Sequence, residues 1–84
     1  MQSIPHSNQF ATSDLALAAT LSLWVTLENI DRTNPRRAVF EFPQSDELDR
    51  LIELYWRGQL EVEPQLYFGQ LRSLKSRLHE ADQP

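Results

Sequence analysis

The stretch Ser45 to Leu78, SDELDRLIELYWRGQLEVEPQLYFGQLRSLKSRL, reads as two amphipathic helices with a stop and a restart between them. In the first, Leu48, Leu51, Ile52 and Tyr55 fall at i, i+3, i+4 and i+7, the spacing of one helix face. Leu54 and Trp56 flank that stripe on either side, so the apolar arc is wide. Ser45 is the expected N-cap, because its hydroxyl can accept a bond from an unpaired N–H of the first turn. Asp46→Arg50 and Glu53→Arg57 are i, i+4 pairs in the favourable order. Gly58 suits the position after the last turn, where positive φ is needed. Pro64 then opens the second helix at a site that loses no hydrogen bond. Its Tyr67, Leu71, Leu74 and Leu78 repeat at 4, 3, 4, a narrow seam of coiled-coil type.

Upstream of this pair the pattern changes. A further helix is expected from Ser13 to about Leu23, capped by Thr12 or Ser13 with Asp14 in its first turn. Its body, LALAATLSL, lacks a polar face, and such a helix is buried on more than one side. Two strands follow, in WVTLENI and RAVFEF, rich in β-branched and aromatic residues. Ala38, Phe40 and Phe42 share one face of the second. The link DRTNPR contains Asn34-Pro35, which is turn chemistry, and an antiparallel hairpin is the simplest connection. QLEVE, residues 59–63, alternates apolar and polar residues and reads either as an extended connector or as a third edge strand. The expected organisation is an arm over residues 1–11, one α+β domain over 12–79 in the order α-β-β-α-α, and a fraying tail over 80–84. The helices cover one face of a small antiparallel sheet. The expected core is Leu15, Ala19, Val25, Leu27, Val39, Phe40, Phe42, Leu48, Leu51, Ile52, Tyr55, Leu71, Leu74 and Leu78.

With 84 residues the chain is at most one domain. A domain of this size buries only about 60% of the surface its unfolded chain exposes, so self-association would help it. Four Phe, two Trp and two Tyr suffice for one core, and the absence of cysteine excludes a disulfide frame and a thiolate zinc site. No apolar run reaches the roughly 20 residues that span a bilayer. MQSIPHSNQF has neither the charged start nor the apolar stretch of a secretion signal, and a cytoplasmic location is expected.

The order of motifs resembles a family of small, uncharacterised bacterial and phage domains known only as domains of unknown function. The resemblance is carried by Thr12-Ser13-Asp14-Leu15 with Ala18-Ala19, Val39-Phe40-Glu41-Phe42, Tyr55-Trp56-Arg57-Gly58, Val62-Glu63-Pro64, Tyr67-Phe68, and Leu71-Arg72 leading into Leu74-Lys75-Ser76-Arg77-Leu78. It covers roughly Ala11 to Leu78. The chain departs from the pattern in the link DRTNPR and at Glu63, where a shorter acid is expected. The resemblance implies this order of elements and no activity.

Catalytic chemistry finds little to work with. His6 and His79 sit near the two ends of the chain, neither with a carboxylate or nucleophile held beside it as acid–base or triad chemistry requires. Asp46, Asp49 and Glu53 share a helix face, but Arg50 and Arg57 lie among them, which is the pattern of a solvated surface. Two glycines make no phosphate loop. No catalytic residue, metal ligand or cofactor is therefore assigned, and an enzyme is not expected.

Two binding readings remain. The favoured one is a non-enzymatic interaction or adaptor module whose partner is another protein or a second copy of itself, through Leu17, Leu21, Trp24, Leu54 and Trp56. The runner-up is a nucleic-acid-associated accessory protein. Arg32, Arg36 and Arg37 cluster around the hairpin link, while Phe68, Arg72 and Lys75 share a side of the last helix with His79. Basic groups beside an aromatic suit phosphates and an unpaired base. The net charge of -4 argues against that reading, because phosphate attraction is the sequence-independent part of such affinity.

Overall fold

The computed structural model describes residues 9–34 and 36–82. The elements are β1 (Gln9–Thr12), α1 (Leu15–Leu21), β2 (Asn29–Asp31), β3 (Val39–Pro43), α2 (Asp46–Trp56) and α3 (Pro64–Asp82). Among the described residues this is an α+β domain with three helices and one antiparallel sheet, in the strand order β1-β3-β2. The expected hairpin is present, with Ile30 opposite Phe40.

The leading strand is a correction to the sequence reading. Residues 9–11, expected in an arm, pair with β3 in the register Gln9↔Pro43, Phe10↔Phe42, Ala11↔Glu41 and Thr12↔Phe40. The third strand thus comes from the N-terminal side, and residues 59–63 form a connector without strand pairing. Residues 1–8 of the expected arm, with His6, lie outside the described residues, as does Pro35 of the link. The expected tail also changes, since α3 continues to Asp82.

Because paired residues share a face, Phe10, Thr12, Ile30, Phe40 and Phe42 form one side of the sheet. Phe40 and Phe42 are buried and cluster with Leu17, Ala18, Ala19 and Leu21 of α1, Leu48 and Leu51 of α2, and Leu74 of α3. The other side carries Gln9, Ala11, Asn29, Val39 and Glu41, tied by bonds from Gln9 Nε2 to Glu28 Oε1 and from Asn29 Nδ2 to Glu41 Oε1. Val39 is therefore no core residue: its neighbours Phe40 and Phe42 face the helices, and the period of two turns Val39 away.

Local chemistry sets each boundary. Asp14 is the N-cap of α1, its Oδ1 accepting from Leu17 N, while Thr12 Oγ1 accepts from Asp14 N. The cap was expected at Thr12 or Ser13 with Asp14 in the first turn; Thr12 is held in the ladder of β1, and the cap falls at Asp14 instead. The strand expected from Trp24 starts late for a related reason. Leu21 O accepts from Trp24 N at 3.0 Å and from Val25 N at 2.9 Å, so those residues finish α1. Ladder pairing begins only where Glu28 N reaches Glu41 O.

In α2, Ser45 Oγ accepts from Leu48 N. Its other end closes with Gln59 N on Leu54 O and Gly58 N on Tyr55 O, Gly58 being at φ 71. These are the two bonds of a Schellman motif. Glu63 Oε1 caps α3 by accepting from Leu66 N at 2.9 Å, so the longer acid does the work expected of a shorter one. No helix among the described residues is long and apolar enough to cross a membrane.

Candidate interaction surface

The five residues expected to meet a partner separate into three places. Leu17 and Leu21 are 1% and 0% exposed, inside the core, and cannot face one. The apolar circumference of α1 is already covered within the chain, by α3, α2 and the sheet. Trp24 and Leu54 line a cleft of about 480 Å³ between the end of α1 and one flank of α2, together with Glu47, Arg50 and Leu51. Trp56 lies on the opposite flank of α2 and is 64% exposed.

Trp56 belongs to a second assembly. Its ring meets that of Tyr55 edge to face, with centroids 5.0 Å apart and planes at 89°. Tyr55 lines an apolar cleft of about 240 Å³ with Ala16 and Thr20 of α1, Leu60 and Val62 of the connector, and Tyr67 of α3. Phe68 in turn packs its ring against Tyr67, at 5.6 Å and 62°. Two tyrosines thus form walls of the cleft, and each supports an exposed aromatic outside it. Trp56, Leu66 at 62% exposed and Phe68 at 53% are large hydrophobic side chains left in water around the α2–α3 turn.

The position of the cleft follows from the chain stops. The Schellman closure at Gly58 ends α2 and turns the chain, the connector lays Leu60 and Val62 along the gap, and Pro64 restarts the helix beyond it. Partial burial raises the Tyr55 phenol above its ordinary value, with the Asp14 carboxylate and Tyr67 adding to the shift.

The basic residues are not gathered. Arg36 and Arg37 are exposed in the β2–β3 link, whose backbone is folded by Asn34: Oδ1 accepts from Arg36 N and the carbonyl from Arg37 N. Arg32 lies beside them, partly exposed. At the start of that link Thr33 donates its hydroxyl and its N–H to Asp31, and those bonds, the hydroxyl's first, hold the Asp31 carboxyl below its usual range. Phe68, Arg72 and Lys75 are exposed on α3, which packs chiefly on α1. The two sources are separate strips on separate elements.

Of the carboxylates sharing a face of α2, Asp49 accepts from Gln44 Nε2 and Glu53 pairs with Arg57 at 2.6 Å. No group of three or more possible metal-ligating side chains occurs among the described residues.

Leu66, Leu60, Val62 and Tyr67 had no functional assignment from sequence. The available signal was Leu66, an apolar residue that, like Phe68, stands off the Tyr67–Leu71–Leu74–Leu78 seam.

Residues 7–80 match a family described as a domain of unknown function, DUF5659. The chain belongs to this family. The matched span runs from β1 through all but the last residues of α3, so the family unit includes the N-terminal strand as well as the helices around the cleft. No curated protein and no solved structure matches the chain.

Proposed function

We propose that this domain is a non-enzymatic protein-interaction module that docks its partner on the helical side, at the apolar cleft of Tyr55 and Tyr67. The observation that carries the reading is the set of large hydrophobics left in water there. Trp56 and Phe68 are each more than half exposed, and each rests on a tyrosine that walls the cleft. Scattered exposed apolar residues are ordinary on soluble proteins, whereas clustered ones mark surfaces that another molecule covers. Aromatic anchors beside a preformed recess are the usual source of binding energy at such surfaces. The outer face of the sheet offers the contrast, being laced with side-chain hydrogen bonds of Gln9, Glu28, Asn29 and Glu41.

A photo-crosslinking residue incorporated at Trp56 or Phe68 in the producing cell tests this. Discrete protein adducts are expected from those positions and not from Ala11 or Asn29 on the sheet. Adducts from none of the positions, or from all alike, would overturn the proposal.

A further inference from the structure

We infer that the outward face of α3 binds single-stranded nucleic acid, with Phe68 stacking on a base and Arg72, Lys75 and His79 meeting the backbone that follows. This site is separate from the cleft and does not rest on the docking role proposed above. Its basis is the charge of one helix surface. The chain as a whole carries -4, yet residues 64–79 contain Arg72, Lys75 and Arg77 and neither Asp nor Glu. Phe68, Arg72, Lys75 and His79 stand at i, i+4, i+7 and i+11, so they form one row along the helix, and all four are exposed. At 1.5 Å per residue the row is about 16 Å long. Among the described residues no ion pair engages Arg72 or Lys75, unlike Arg57, which is held by Glu53. The row lies about a quarter-turn around the helix from Leu71, Leu74 and Leu78, which pack into the core. The seam therefore anchors α3 while the row stays open to solvent.

A row of free cations fits a polyanion, and the neighbouring side chains select which kind. An anionic membrane takes up a helix by its apolar face. That face of α3 is already occupied, since Leu74 is 2% exposed and Leu71 and Leu78 pack on the core. An acidic polypeptide would satisfy the cations and leave Phe68 without a role. Phe68 is 53% exposed, and Tyr67 meets its ring at 62° instead of covering it. An open aromatic ring at the end of a line of basic groups suits an unpaired base and the phosphates beside it, and such stacking tolerates any base. A base inside a duplex is stacked on both sides, so the ring favours a single strand.

Fluorescence anisotropy of a labelled single strand of about 12 nucleotides, titrated with the purified full chain at several salt concentrations, tests this. Binding is expected at low salt, with log affinity falling against log salt at a slope of about -1 to -2, as two phosphate contacts require. Arg72→Gln with Lys75→Gln should lower affinity about tenfold or more and flatten that slope. Phe68→Ala should lower affinity about tenfold and keep the slope, since it removes a stack and no charge. Arg36→Gln with Arg37→Gln takes the same charge from the β2–β3 link and should lower affinity about threefold at most, because salt screens charges that do not touch the strand. Far-UV circular dichroism checks that each variant folds, and the exposed glutamine pair on α3 decides if Phe68→Ala disturbs the helix. No binding at low salt overturns the inference. Equal losses from the two glutamine pairs also overturn it, since bulk charge and not the row would then set affinity. A duplex or a polyglutamate peptide bound as tightly as the strand overturns it by showing that the row reads charge alone. Capture by vesicles of anionic lipid, with none by the strand, assigns the row to a membrane and overturns it too.

Discussion

Phe10 lies opposite Phe42 across β1 and β3, in the register that turns both rings toward the helices. That pairing makes the N-terminal strand part of the domain. Phe42 is fully buried and Phe10 half-buried. Phe42→Ala is expected to cost about 3–5 kcal/mol, the range for emptying a buried aromatic site, and in a domain this small that is most of the stability. Phe10→Ala is expected to cost about 1–2 kcal/mol in urea unfolding, because part of its ring is already wet. A cost near zero for Phe10→Ala would mean that β1 contributes nothing to the fold.

The two glycines respond in opposite directions. Gly58 is at φ 71, and a Cβ there would touch nothing within 4 Å. Gly58→Ala therefore costs only the left-handed backbone penalty, about 1–2 kcal/mol, seen as a lower urea midpoint. Gly69 sits inside α3 with equal room for a Cβ. Gly69→Ala should stabilise by roughly 0.5–1 kcal/mol through helix propensity and a less free unfolded chain. Equal signs for the two changes would contradict the Schellman closure at the end of α2.

These cases also mark what the sequence could reveal. The α2 segment was readable almost to the residue, because Ser45, the Leu48–Tyr55 stripe and Gly58 are local signals that act on the backbone beside them. β1 was not readable. Gln9-Phe10-Ala11-Thr12 has one large apolar residue, and its strand character comes from β3, some 30 residues away. The same non-locality misassigned Leu17 and Leu21. The absence of a polar face on α1 was legible, but not that α2, α3 and the sheet cover it within one chain. The cleft was hidden because Leu60 and Val62 acquire a shared wall only when α3 folds back beside α1.

Tyr55 gives the domain a pH dependence at the alkaline end. Its phenol is raised above the ordinary 10.0, first by partial burial and then by the Asp14 carboxylate and Tyr67. Above that ordinary value the unfolded chain gives up this proton more readily than the folded one. The contribution is therefore fully present below about pH 10 and is lost as pH rises through the elevated folded value. Urea stability should fall over that window, and Tyr55→Phe should flatten the fall without changing its onset elsewhere. The phenolate titration of Tyr55, read as the ultraviolet difference between the native chain and Tyr55→Phe, should lie above the free-tyrosine value. Ionisation of Tyr55 at the free-tyrosine value would show that the cleft does not desolvate this wall.

Leu17 and Trp56 separate the core from the surface that remains for a partner. Leu17 is 1% exposed among residues of all three helices and the sheet, and Leu17→Ala should cost about 2–5 kcal/mol, since removed methyl groups leave a cavity that close packing cannot refill. Trp56 has far more surface but keeps 64% of it in water, and its named ring partner is the neighbouring Tyr55. Trp56→Ala should therefore cost no more than about 0.5–1.5 kcal/mol, the worth of one edge-to-face pair. Thermal unfolding of both variants, at a concentration too low for association, makes the comparison. A side chain as large as tryptophan that adds so little to folding is available for binding. If Trp56→Ala proves as costly as Leu17→Ala, the indole is holding the domain together, and the docking surface must be drawn without it.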